Sequence, residues 1–190
     1  MILRGEVLPP DVYDRLRGGV RAAIAAESRV RRVEVCPGLH LYFESRQSLW
    51  FHLHELLHAT TWDERAVSEE LAQINQLIPA ECGLVATAAS EEDCRAGRPS
   101  PIGGFWSLRL CGQSVGARNL SGQDGAATFP GLRHLFFRFD PVQRLLLKLP
   151  GVDVDVCVES DGKMHCAALS EAGKQVISSD LGVHSRVEAI

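Results

Sequence analysis

Six cysteines are present, yet none forms a Cys-x-x-Cys pair, and that lack excludes a zinc knuckle and a thioredoxin-type motif. No apolar run approaches about 20 residues, the length a transmembrane helix needs. The opening stretch MILRGEVLPPDVYDRLR has charges at Arg4, Glu6 and Asp11 and no apolar core of signal-peptide length, so a cytoplasmic protein is expected. Buried or free thiols are the usual state of cysteine in that compartment. Positive charge is not in excess either: 20 basic against 24 acidic residues give a net charge of -4 and no electrostatic footprint for nucleic acid or an anionic membrane. A glycine-rich phosphate loop, a Gly-x-Ser-x-Gly elbow and a dinucleotide-binding fingerprint are all missing.

What is there is ordinary for a globular protein. The 190 residues, 45% hydrophobic and 23% charged, are enough for one well-buried core, so a single domain over 1–190 is expected. Its first half, to about residue 80, reads as helical. Asp11 can cap a helix whose apolar positions Val12, Leu16, Val20 and Ile24 recur every four residues, weakened by Gly18 and Gly19 and ending near Ser28. Val30 to Val35 and His40 to Phe43 form a hairpin around Cys36, Pro37 and Gly38. Ser45 then opens a helix to about Ala59, and another runs from Glu64 to Ile78, stopped by Pro79.

The second half, about 83–181, is β-rich. ECGLVATAAS reads as a strand, Glu91 to Gly104 as a loop, FWSLRLCGQSVGAR as a hairpin around Gly112 and Gln113, and Asn119 to Thr128 as a loop. LRHLFFRFD is a strand, Pro141 to Leu149 a short helix or irregular segment, and Val152, Val154, Val156 and Val158 line one face of a further strand. A helix from Ser170 to Leu181 closes the chain. Helices that lead and an antiparallel sheet that follows predict an α+β fold, with N-terminal helices packed against a largely antiparallel β-sheet.

The order of LPPDVYDRLR, RRVEV with its Pro/Gly turn, LYFESRQSL, a helix with Glu55 and paired leucines, and INQLIPAECGLVAT resembles a bacterial family known as domain of unknown function 3501. Its most specific parts are Phe43, Glu44, Ser45 and Arg46, where relatives usually read Phe, Glu, Asn, Arg, and the stretch from Asn75 to Pro79. Members tend to be encoded beside a rubrerythrin-like di-iron protein and an iron-sulfur oxidoreductase subunit. The resemblance therefore implies a redox or peroxide-stress setting with one of these as partner, and it brings no activity of its own. Relatives read roughly Gln, x, Gln, Glu, Met, Leu, Arg where this chain has His52 to His58, so Glu55 is shared and the histidines mark this branch.

His54, Glu55, Leu56, Leu57 and His58 spell the HExxH spacing, in which two imidazoles one helical turn apart reach one metal ion while the glutamate acts as general base. The variety that continues HExxHxxGxxH needs Gly at 61 and His at 64, and this chain has Thr61 and Glu64. A third ligand from a later helix has candidates in Glu69, Glu70 and Glu81. Helical projection clusters Leu49, Trp50, Leu53, Leu56, Leu57 and Thr60, with His54 and His58 at the border of that face and His52 on the far side. The first functional reading is a redox metalloenzyme or auxiliary subunit. Its metal, iron, zinc or copper, is held by His54 and His58 with Glu55 or Glu44, Glu55 is its catalytic group, and His52 needs a partner of its own. The second reading is a noncatalytic partner-binding protein with incidental histidines, and the third an HExxH zinc hydrolase.

Asp161 and Gly162 are the strongest hairpin signal in the chain. A two-residue loop there sets Ser160 against Lys163, Val158 against His165, and Cys157 against Cys166 as a non-hydrogen-bonded pair with Cα atoms roughly 4.5 Å apart. The pair shares its face with Asp155 and Met164. A redox-switchable disulfide, two thiolate ligands and two small reduced residues all fit this position. His40, His134 and His184 read as structural or exposed, and Trp50, Trp62 and Trp106 as packing anchors.

Overall fold

Pro10 opens the first helix, α1 (Pro10–Arg31), where its missing N–H costs nothing, and the helix continues past Gly18 and Gly19. This is a computed structural model of the chain, and it describes residues 1–60, 62–78, 83–90, 101–120 and 131–183. Thr61, Pro79, Glu81, Cys82, Cys94, His184 and the loops expected over 91–100 and 121–128 lie outside the described residues. The chain divides into two compact units, Met1–Arg29 with Glu44–Ile78, and Val30–Phe43 with Pro79–Ile190.

The first unit is helical. Ser45 caps α2 (Arg46–Ala59) by accepting from the Ser48 N–H, while the Ser48 hydroxyl accepts from the Ser45 N–H, so two orphan donors are satisfied at once. Asp63 caps α3 (Glu64–Gln76) in the same way through the Ala66 N–H. Leu49, Leu53 and Leu57 of α2, Val67 and Ile74 of α3, and Ile2 and Val7 of the leading segment form one apolar cluster. The four-residue stripe expected on α1 holds in part: Val12, Val20 and Ile24 are half-buried, but Leu16 is 49% exposed, whereas Tyr13 is buried. The reason is polar, because Tyr13 and Arg17 both turn towards Glu55 of α2.

The second unit is an antiparallel sheet. Its eight described strands are β1 (Arg32–Cys36), β2 (Leu39–Phe43), β3 (Gly83–Ser90), β4 (Phe105–Leu110), β5 (Gln113–Asn119), β6 (Leu132–Arg138), β7 (Val154–Ser160) and β8 (Lys163–Ala168). They are ordered β1-β2-β3-β6-β5-β4-β7-β8, and the two end strands β1 and β8 come within 8 Å of each other at several Cα positions. The β4–β5 turn falls on Cys111 and Gly112, both at positive φ, one residue earlier than expected. The β7–β8 turn uses Asp161 and Gly162 at positive φ, the geometry that matches strand twist. Two helices, α4 (Pro141–Lys148, capped by Asp140) and α5 (Glu171–Val183), send Leu147, Ile177 and Leu181 into the sheet's apolar core. The fold is α+β, and among the described residues no helix is long and apolar enough to cross a membrane.

Candidate functional site

The histidine helix is positioned by its cap at Ser45 and by the buried row Leu49, Leu53, Leu57. That row rotates His54 inward until 1% of it is exposed, so it lies within the buried face rather than at its border. Its ring is flanked by Trp50, with centroids 3.9 Å apart, and by Tyr13, at 4.8 Å. Both ring nitrogens are engaged. Nε2 accepts from the Leu8 N–H at 2.9 Å, which requires the proton to be on Nδ1, and Nδ1 lies 2.9 Å from the Trp50 carbonyl that receives it. Burial pushes the pKa below the ordinary histidine value, partly opposed by the Trp50 carbonyl, so the ring is neutral.

Glu55 is equally committed. Arg17 grips both carboxylate oxygens at 2.7 and 2.8 Å, and the Tyr13 hydroxyl donates to Oε1 at 2.9 Å. The Arg17 guanidinium, with help from Tyr13 and against partial burial, holds the Glu55 carboxyl down at about 2. Burial, together with the same carboxylate, pushes the Tyr13 hydroxyl well above its usual range. His58, one turn on, places Nε2 2.8 Å from the Asp14 carboxylate at the surface. His52 is exposed, with its ring against Phe51. Glu44 precedes α2 and accepts from the Ser48 hydroxyl. From Arg46, where α2 starts, to His54 is eight residues, roughly 12 Å along the axis at a rise of about 1.5 Å each, and Glu44 lies before that start.

A transition metal does not fit these residues as they stand. A ligand needs a free lone pair, and His54 has spent its one on a backbone amide, while Glu55 is charge-paired on both oxygens. Glu44, before the start of the helix, is too far from His54 to join them. Among the described residues no group of three His, Cys, Asp or Glu side chains gathers in a metal-binding arrangement. Of the further carboxylates, Glu69 is paired with Arg65, and Glu81 lies outside the described residues.

What the arrangement does is fasten the leading segment. Leu8 is tied to His54, the Glu6 carbonyl accepts from Trp50 Nε1, Arg46 reaches the Glu6 carboxylate and the Met1 carbonyl, and the Asn75 amide clamps Ile2 through both its N–H and its carbonyl. The most specific letters of the resemblance therefore have structural tasks: Phe43 is core, Glu44 and Ser45 begin α2, and Arg46 and Asn75 latch residues 1–8. Tyr13, Asp14 and Arg17 were not singled out from sequence. Their one signal is that a tyrosine and an arginine four apart share a face of α1.

The second constellation lies on the sheet. The register places Cys157 opposite Cys166, Val158 opposite His165 and Ser160 opposite Lys163, as counted from the Asp161–Gly162 turn. The Cys157 and Cys166 Cα atoms are 4.2 Å apart, and their sulfurs are joined in a disulfide.

A family model described as Protein of unknown function (DUF3501) matches residues 1–101. In structure the chain is similar to a crystallographically solved novel protein of unknown function from Burkholderia pseudomallei K96243. The TM-score is 0.81 at 22% identity, covering 94% of this chain and 98% of that one. At that identity the likeness speaks for the fold alone. No curated protein matches.

Proposed function

The chain belongs to the family of that model, DUF3501, and within it we propose a noncatalytic partner protein that docks onto a redox enzyme, a rubrerythrin-like di-iron protein or an iron-sulfur oxidoreductase. The observation that carries this reading is the closed polar network of α2: His54 and Glu55 spend every ring nitrogen and carboxylate oxygen on partners inside the fold. A general base must be able to take a proton near neutral pH, and a carboxyl held at about 2 by a bidentate arginine is a poor one. The redox-metalloenzyme and zinc-hydrolase readings both require these bonds to break first.

The sheet unit supplies a surface for such a partner. Val142, Leu145 and Leu149 are exposed along one side of α4, at the i, i+3, i+7 spacing by which an amphipathic helix enters an apolar groove, while Leu147 holds the opposite side in the core. The choice of a redox enzyme as occupant comes from the family resemblance.

The test combines elemental analysis of the purified full chain with co-purification against both candidate partners. The expected outcome is no stoichiometric iron, zinc or copper, and an association that Leu145→Asp weakens by about tenfold or more while the circular dichroism is unchanged. Stoichiometric metal that disappears in a His54→Ala, His58→Ala double variant would overturn the reading in favour of a metal centre.

A further inference from the structure

The disulfide has an inside and an outside. Cys157 is fully buried yet belongs to neither apolar cluster, whereas Cys166 is exposed on β8, a strand at the end of the sheet order. The strand registers align Cys166, Cys157, Ser107 and Gly116 in one row across β8, β7, β4 and β5. The adjacent row holds Met164, Glu159 and Phe105, and because side chains alternate along a strand, both rows belong to the same face. On that face Phe105 is 84% exposed and Met164 45% exposed. Two large apolar side chains kept in water on either side of one charged residue, next to the exposed Cys166, form the kind of rim that a protein partner covers.

We propose that Cys157–Cys166 is a thiol–disulfide exchange centre for a protein dithiol that docks on Phe105 and Met164. A thiolate of that dithiol attacks the Sγ of the exposed Cys166. The Cys157–Cys166 bond breaks, a new S–S bond joins the dithiol to Cys166, and Cys157 leaves as a thiolate that takes the proton of the dithiol's second thiol. The second thiolate of the dithiol then attacks its own sulfur in the mixed disulfide and releases Cys166, which is protonated in turn. Two electrons and two protons have passed to the pair, and the dithiol has become a disulfide; the same steps reversed reoxidise the pair. Cys166 is attacked because it is the exposed residue of the pair, and Cys157 is the leaving group because its sulfur is the other end of the bond that breaks. The centre lies on β4, β7 and β8 and needs neither the α4 stripe nor the histidine helix, so it stands apart from the docking function proposed above.

The test uses the oxidised full chain under native conditions, with a thioredoxin as the protein dithiol and dithiothreitol as the small one, followed by alkylation and site-resolved mass spectrometry. Cys111, an exposed free thiol, is labelled throughout and serves as the internal control. The expected result is that Cys157 and Cys166 become labelled together with either reductant, and that a thioredoxin lacking its resolving cysteine is trapped on Cys166. Phe105→Asp and Met164→Asp should slow reduction by thioredoxin roughly fivefold or more and leave reduction by dithiothreitol within about twofold. A bridge that resists both dithiols until denaturant is added would overturn the proposal, as would trapping on Cys157 or equal effects of the substitutions on both reductants.

Discussion

His54 has one proton to place and two partners that determine where it goes: the Leu8 amide faces Nε2, so the proton is on Nδ1 and the ring is neutral. A second proton would set the Nε2 proton against the Leu8 N–H, two donors facing each other. The folded pKa is below the ordinary value of about 6.5, so on acidification the unfolded chain takes up the proton first. The contribution of His54 is therefore complete above about pH 6.5 and is lost as the pH falls through that value towards the folded pKa. Urea titrations between about pH 7.5 and 5 should show this loss in the wild type and a flatter profile in His54→Gln, which can still accept from Leu8 but cannot charge. The opposite sign of group gives the same direction lower down: with its carboxyl at about 2, Glu55 contributes stability that is present above the usual glutamate range and disappears as the pH drops towards that value. Tyr13→Phe, which removes one donor to this carboxylate, should cost about 1 kcal/mol in the same assay. Of this constellation the spacing of His54, Glu55 and His58 was legible in the sequence. The residues that occupy them, Leu8, Tyr13, Asp14 and Arg17, were not, because a partner 38 to 46 positions away leaves no local pattern.

Elements whose limits depend on neighbouring residues were readable, and those whose faces depend on distant ones were not. The start of α2 follows from Ser45 and the β7–β8 register from Asp161–Gly162, both local signals. The packing of α1 around Leu16 depends on what Glu55 attracts, because Tyr13 and Arg17 turn towards that carboxylate while Leu16 is left exposed. Glycine illustrates the same dependence. At Gly18 an added methyl group would meet nothing, so Gly18→Ala should stabilise the helix by about 0.5–1 kcal/mol, read from the urea midpoint. At Gly173 in α5 it would come 2.6 Å from the Val30 carbonyl oxygen and 2.8 Å from Leu169, so Gly173→Ala should instead destabilise by about 1–3 kcal/mol. The same substitution in two helices thus changes sign, and helix propensity alone would miss it.

At the scale of the whole molecule, the chain has two compact units, each with its own core, and the disulfide is confined to one of them. The bridged residues are nine apart, so reduction releases a short loop and should cost the sheet unit about 2–3 kcal/mol, while probes of the helical unit, such as Trp50 fluorescence, should keep their midpoint. Equal shifts for both units would mean that they unfold together. The α+β class was readable from helices leading and strands following, whereas the strand order was not, since β3 pairs with β6 and β4 with β7 through contacts no local motif encodes. That order brings β1 and β8, the two end strands, within 8 Å of each other. A sheet normally offers its two outermost backbones as templates on which further chains can polymerise. Here the two outermost strands lie close together instead of on opposite flanks, which leaves an incoming chain less open backbone on which to add.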